Sequence, residues 1–325
     1  MDRRTFIGSF AGGLLATPRF AHAQQAAIPT IGFLQSRPSA PYPHLVVAFR
    51  QGLSETGFIE GRNVTIDYRW ADNHVDRLPG LAADLARRQV AVIVGNGPAA
   101  QAAKAAIATI PIVFVTGDDP VRSGLVASLN RPGGNLTGVT FFSNQLGAKR
   151  LGLLHDLVPR TEVIAFLMDP NWPASVAELP EVEAAARVIG RKIVVVKAAS
   201  EREIEPAFAA IGKAGAGALV VSGTPFMTSQ SRQLVAFAAR YGIPAIFDVR
   251  EHVVAGGLIS YSASLTGAYR QAGVYVGRIL KGAKPSELPV VQPSTFELVI
   301  NMKTAKALGL TIPQSLLLRA DEVIQ

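Results

Sequence analysis

The 325-residue chain contains no cysteine. That excludes a structural disulfide, a thiolate nucleophile and a Cys-ligated metal, and with them the acylated cysteine that tethers exported lipoproteins. Charge is sparse: 17% of residues are Asp, Glu, Lys or Arg, against 49% hydrophobic, the balance of a chain that folds. The formal charge of +8 includes +2 from residues 1–23, where Arg3, Arg4 and Arg19 stand against Asp2. The remainder is scattered, with no Lys/Arg run interleaved with aromatics, so nucleic acid is not an expected partner. No apolar run is long enough to span a bilayer, and no membrane anchor is expected.

Catalytic signatures are missing as well. His22, His44, His74, His155 and His252 show no H-x-x-x-H spacing, and there is no P-loop and no G-x-G-x-x-G after a strand. No G-x-S-x-G elbow occurs. Asp118, Asp169 and Asp248 offer carboxylates, as any α/β protein does. No catalytic residue, cofactor or metal is therefore expected.

What is present begins with a targeting pattern. Arg3-Arg4 precedes an apolar run over residues 6–16, and Ala21-His22-Ala23 supplies small residues for a cleavage site. The order is that of a signal peptide over residues 1–23, cut after Ala23. The twin arginine points to the twin-arginine route, with a Sec signal as the alternative. Export without a lipid anchor implies a periplasm. The remaining length suits two domains.

Short apolar runs alternate with helical periodicity. Strands are expected at 30–34, 64–68, 90–94 and 111–115, with helices at 42–56, 76–88 and 98–108. The rhythm resumes with helices at 147–157, 176–190, 203–214 and 228–241 and strands at 163–168, 193–196, 218–221 and 245–247. Such alternation specifies parallel sheets covered on both faces. The break falls near 130–144, where Arg131-Pro132-Gly133-Gly134-Asn135 forms a loop. A last strand at 257–261, helix at 265–281, strand at 296–300 and helix at 303–308 are too few for a third domain. They are expected to carry the chain back to each lobe, giving three crossings and a hinged cleft. The expected division is 28–142 plus 256–287 for the first lobe and 143–255 plus 288–325 for the second.

Ligands of open parallel sheets sit beyond the carboxyl ends of the strands. That rule selects Ser36 after the first strand, and Asn96, Gly97 and Pro98 at a helix entry whose free N–H groups suit a carboxylate or simply make a strand-to-helix turn. It also selects Thr116, Asp118 and Asp119, two adjacent acids that hold an ammonium group or cap the next helix. In the second lobe it selects Asn171, Thr224 and Asp248. Tyr42, Phe226 and Tyr261 are aromatics near the same strand ends, where each is ligand platform, core or rim.

An ordered set of short motifs spans almost the whole of the chain after residue 23. It includes Glu60-Gly61-Arg62-Asn63-Val64, Ile110-Pro111-Ile112-Val113-Phe114, Arg131-Pro132-Gly133-Gly134-Asn135-Leu136-Thr137-Gly138, Gly256-Gly257-Leu258, Asn301-Met302-Lys303-Thr304-Ala305 and Ala320-Asp321-Glu322-Val323-Ile324. In these the chain resembles the ABC transporter substrate-binding family that includes tryptophan/tyrosine-type binding proteins. The resemblance implies a periplasmic-binding-protein fold of type I, two Rossmann-like lobes with three crossover strands and an interlobe cleft. It implies a small amino-acid-like or aromatic solute as ligand, and an ABC permease and its ATPase as partners. It places the ligand carboxylate near 96–98 and polar contacts near 116–119. Relatives often carry Ser or Thr where this chain has Gly97, and Asp where it has Thr224, so two ligand contacts of the family are lost here. A monomer or weak dimer is expected. A sensor feeding a membrane receptor is the principal alternative, then an exported α/β enzyme. A DNA-binding regulator on the same fold lacks its DNA-binding helices here.

Overall fold

A computed structural model describes residues 28–40, 42–142, 146–292 and 296–325. The expected signal peptide, residues 1–23, lies outside the described residues.

The first lobe opens with β1 (Thr30–Gln35), α1 (Pro43–Glu55), β2 (Thr65–Trp70), α2 (Leu78–Arg87), β3 (Val92–Asn96), α3 (Gly97–Ala106), β4 (Ile112–Thr116) and β5 (Leu136–Thr140). Its five strands run in the order β2-β1-β3-β4-β5, all parallel. β3 and β4 are buried along their whole length, which explains their unbroken apolar runs. β5 falls in a stretch read from sequence as loop and break. Its central Gly138 weakens the strand signal, but a Cβ there would collide with the Phe114 carbonyl and ring, so close packing against β4 requires glycine.

The second lobe takes α4 (Gly147–Leu157), β6 (Val163–Met168), α5 (Pro173–Val188), β7 (Lys192–Lys197), α6 (Glu201–Lys213), β8 (Ala218–Val221), α7 (Pro225–Ser229), α8 (Ser231–Arg240), β9 (Ala245–Phe247), α9 (Arg250–Val254) and β10 (Ile259–Ser262). The chain then returns to the first lobe as α10 (Leu265–Leu280). It ends in the second lobe with β11 (Glu297–Asn301), α11 (Met302–Ala307), α12 (Gln314–Leu317) and β12 (Glu322–Ile324). The second sheet runs β12-β11-β10-β9-β8-β6-β7. Within it only β10 and β11 pair antiparallel. This is the expected type I architecture with two mostly parallel sheets.

The pairings move the expected lobe boundaries at both ends. β10 was expected in the first lobe but pairs with β9 and β11, so residues 259–262 complete the second sheet. Residues 288–291, expected in the second lobe, lie beside β5 instead. Val291 N donates to Gly138 O at 2.9 Å, Thr140 N donates to Val291 O at 2.9 Å, and Leu288 and Val290 are buried with first-lobe residues. The chain passes between lobes three times: from β5 to α4, from β10 to α10, and from 291 to β11. Among the described residues no helix is long and apolar enough to cross a membrane.

Candidate functional site

The carboxyl ends of β1, β3 and β4 point at those of β6, β8 and β9 across the interlobe cleft. Between them lies an inner chamber of about 30 Å³. The first lobe contributes Arg37, Asn96, Gly97, Val115, Thr116, Gly117, Asp118, Phe141 and Leu265 to its wall; the second contributes Trp172, Gly223, Thr224, Pro225, Thr228, Asp248 and Val249. Gly97, Thr116, Asp118 and Trp172 also border an outer chamber of about 450 Å³, whose wall continues through Gln101, Asp119, Arg122, Leu125, Pro173 and Ala177. A Cβ at Gly97 would stand 3.0 Å from Thr116 Oγ1 and 3.9 Å from Asp118 Oδ2. The missing side chain therefore widens the waist between the two chambers.

The lobes touch across this space. Trp172 Nε1 donates to Asp118 Oδ1 at 3.2 Å, Tyr42 Oη donates to the Thr228 carbonyl, and His44 Nε2 lies 3.2 Å from Glu251 Oε1. Val249 from the second lobe is buried in the core of the first.

The expected site residues separate into three groups. Asn96, Gly97, Thr116, Asp118, Thr224 and Asp248 line the inner chamber. Ser36, Tyr42 and Asp119 stand beside it with defined tasks. Asn96 Nδ2 donates to Ser36 Oγ at 2.6 Å and its Oδ1 accepts from Ser36 N at 3.0 Å, so this pair stitches β1 to β3 and shapes the wall. Asp119 Oδ1 accepts from Val121 N at 2.8 Å and Arg122 N at 3.1 Å. The two adjacent acids thus divide: Asp119 closes a turn, and Asp118 faces the cleft. Pro98, Asn171, Phe226 and Tyr261 do not line either chamber. Pro98 starts α3, Asn171 is exposed, Phe226 packs on the second-lobe core, and Tyr261 stacks on Phe296 at 5.9 Å.

Thr224 caps α7, its Oγ1 accepting from Met227 N at 3.0 Å. Behind this loop is a fully enclosed network. Arg150 Nη2 donates to Glu178 Oε1 at 2.6 Å, Ser222 Oγ donates to Glu178 Oε2 at 2.6 Å, and Ser175 and Ser222 hydroxyls share a 2.7 Å bond. Burial pushes the Glu178 carboxyl up, and the Arg150 guanidinium pulls it back. Asp248 Oδ1 lies 3.2 Å from His252 Nε2, whose ring stacks on Phe247. Loss of hydration between the lobes pushes Asp118 up to about 6, with the Trp172 hydrogen bond and Arg122 acting in the opposite direction.

Phe141, Thr228 and Val249 line the chamber outside the expected set, and Arg37, Gly223 and Trp172 do so from strand-end loops whose neighbours Ser36, Thr224 and Asn171 are in that set. For Arg37 the strand-end rule was signal enough, since it directly follows Ser36.

The chain belongs to the ABC transporter substrate binding protein family, whose profile matches residues 43–324. It is 26% identical over 269 residues to a tyrosine-binding protein of Clostridioides difficile (strain R20291), covering 81% of this chain and 75% of that protein. Among solved structures it resembles an ABC domain in complex with L-Trp from Streptococcus pneumonia, with 27% identity, a TM-score of 0.81, and coverage of 91% of this chain and 99% of that one. It also resembles the ligand-free, open structure of a substrate-binding protein with adhesive properties from Clostridium difficile. There the identity is 25% and the TM-score 0.66, with coverage of 92% and 100%.

Proposed function

We propose that this chain is the extracytoplasmic solute-binding subunit of an ABC importer. It captures a small amino-acid-like or aromatic solute between its lobes by hinge closure and delivers it to the permease and its ATPase. It performs no chemistry on the solute. The carrying observation is the pair of chambers walled by strand-end loops of both lobes and bridged by the Trp172–Asp118 and Tyr42–Thr228 bonds. A wall built from two lobes is complete only when they meet, so a ligand that contacts both favours the closed form. The higher TM-score to the L-Trp complex than to the ligand-free open relative supports reading the present arrangement as the closed one. The tyrosine and tryptophan named for the relatives support the ligand class. The twin-arginine pattern and cleavage motif before Gln24 support export to the periplasm.

The test is thermal unfolding of the chain from Gln24 onward against L-tryptophan, L-tyrosine, other amino acids, aromatic acids and sugars. A ligand at about 100 times its Kd adds roughly 2.7 kcal/mol of stability, a clear upward shift in Tm. The expected result is a shift with one or both aromatic amino acids. A shift confined to sugars would contradict the ligand class, and no shift with any solute would contradict the binding role.

A further inference from the structure

Arg37 is an unusual wall residue. Its side chain belongs to a residue only 5% exposed, yet Nε and Nη1 have no hydrogen-bond acceptor among the described residues. The guanidinium lies over the Tyr42 ring, 5.2 Å from its centroid. That contact supplies no hydrogen-bond acceptor to Nε or Nη1. A guanidinium cannot lose its proton to escape burial, so an edge kept without an acceptor is costly unless something else supplies one. Gln35 Nε2 is buried and unmatched beside it, around a cavity of about 10 Å³. One water there accepts at most two of the five N–H bonds on these three nitrogens, and at least three remain for other acceptors.

Arg37 lines the inner chamber and is absent from the wall of the outer one. The inner space, about 30 Å³, has the room of a two- or three-atom polar group. The outer space, about 450 Å³, takes the body of a small solute. We propose that Arg37 is the receptor for the ligand's carboxylate, which enters the inner chamber while the rest of the molecule fills the outer one. A planar carboxylate matches the guanidinium fork in geometry and charge. Asp118 and Asp248 border the same chamber, so a carboxylate that also carries a neighbouring ammonium group is balanced there and a bare dianion is not. The assignment rests on the solute-binding reading above and names the group by which the solute is held.

The test measures affinities of L-tyrosine, L-tryptophan, their primary amides and 4-hydroxyphenylpropionate for the chain from Gln24 onward and for its R37Q and R37M forms. The expected result is that the wild-type chain binds a free acid at least 50-fold more tightly than the matching amide. R37Q should reduce this ratio to below 5-fold by weakening the acid alone. In the absence of ligand, R37M should melt at or above the wild-type temperature, because it removes an unmatched buried charge; a purely structural Arg37 would give a lower Tm. If only 4-hydroxyphenylpropionate binds, and depends on Arg37, the amino-acid reading falls and the Arg37 assignment stands. If amides bind as tightly as acids, or R37Q leaves the ratio unchanged, the Arg37 assignment falls while the solute-binding role stands. A panel in which no free acid, 4-hydroxyphenylpropionate included, binds in a way that depends on Arg37, or in which nothing binds, overturns it.

Discussion

Arg150 and Glu178 are both fully enclosed, 2.6 Å apart, directly behind the 222–225 loop that walls the cleft. Removing the carboxylate takes from the enclosed Arg150 its 2.6 Å counter-charge, so Glu178→Ala is expected to cost about 3–5 kcal/mol in urea unfolding. R150M/E178M should recover most of that loss; a single E178A cost below about 1 kcal/mol would contradict the pairing. Asp118 acts with opposite sign. Its carboxyl is raised to about 6 in the folded chain, so its ionisation costs stability. That cost is complete above about pH 6 and fades as pH falls towards the ordinary value of 3.8. D118N is expected to raise stability at pH 7.5 by roughly 1–2 kcal/mol, and by less at pH 5, in calorimetric scans. A lower Tm for D118N at pH 7.5 would contradict this. At this scale the sequence was readable where topology alone decides. Strand ends brought Asn96, Thr116, Asp118, Thr224 and Asp248 to the cleft. It was unreadable where side-chain direction decides: Tyr261 and Phe226 turn into packing contacts, and Arg37 is buried in a way its residue type does not announce.

Helix α10 shows how an element is held in a lobe from which it is separated in sequence. It follows a strand of the second sheet, yet Tyr269, Ala272 and Val276 are buried in the first-lobe core. Tyr269 Oη donates to Gln35 Oε1 at 2.7 Å. The approach of α10 to α1 is set by glycine. A Cβ at Gly273 would meet the Phe49 carbonyl, and one at Gly52 the Arg270 carbonyl. Gly273→Ala is therefore expected to destabilise by about 1–3 kcal/mol or more, measured by chemical denaturation, because backbone cannot yield as a flexible side chain can. A neutral G273A would refute the close packing. The periodicity of α10 was plain in the sequence, and the span expected in the first lobe, 256–287, contained it. Periodicity reports that a face is buried and not against which partner. That limit misplaced β10, whose alternation fits either sheet and whose pairing with β11 is a long-range choice.

For the whole molecule, the proposed hinge closure predicts a coupling to protonation through Asp118. Burial raises its carboxyl, and the hydrogen bond from Trp172 of the other lobe opposes that rise more weakly. On the proposed hinge reading, parting the lobes would hydrate Asp118, so the closed form is expected to hold the proton more tightly and lower pH to favour closure. The absence of cysteine allows spin labels at V47C and V188C, one exposed position on each lobe. The closed population of the ligand-free protein is expected to grow between pH 7.5 and 5.5, and D118N should abolish that dependence. A pH-independent distance distribution in the wild type would refute the coupling. The most direct measurement of the central claim is calorimetric titration of the chain from Gln24 onward, and of G97L, with L-tyrosine and L-tryptophan. Leucine at position 97 would fill the waist between the chambers. The expected result is saturable binding at one site per chain in the wild type and none in G97L, with the variant still unfolding cooperatively. Undiminished binding by folded G97L would place the solute elsewhere and contradict the account.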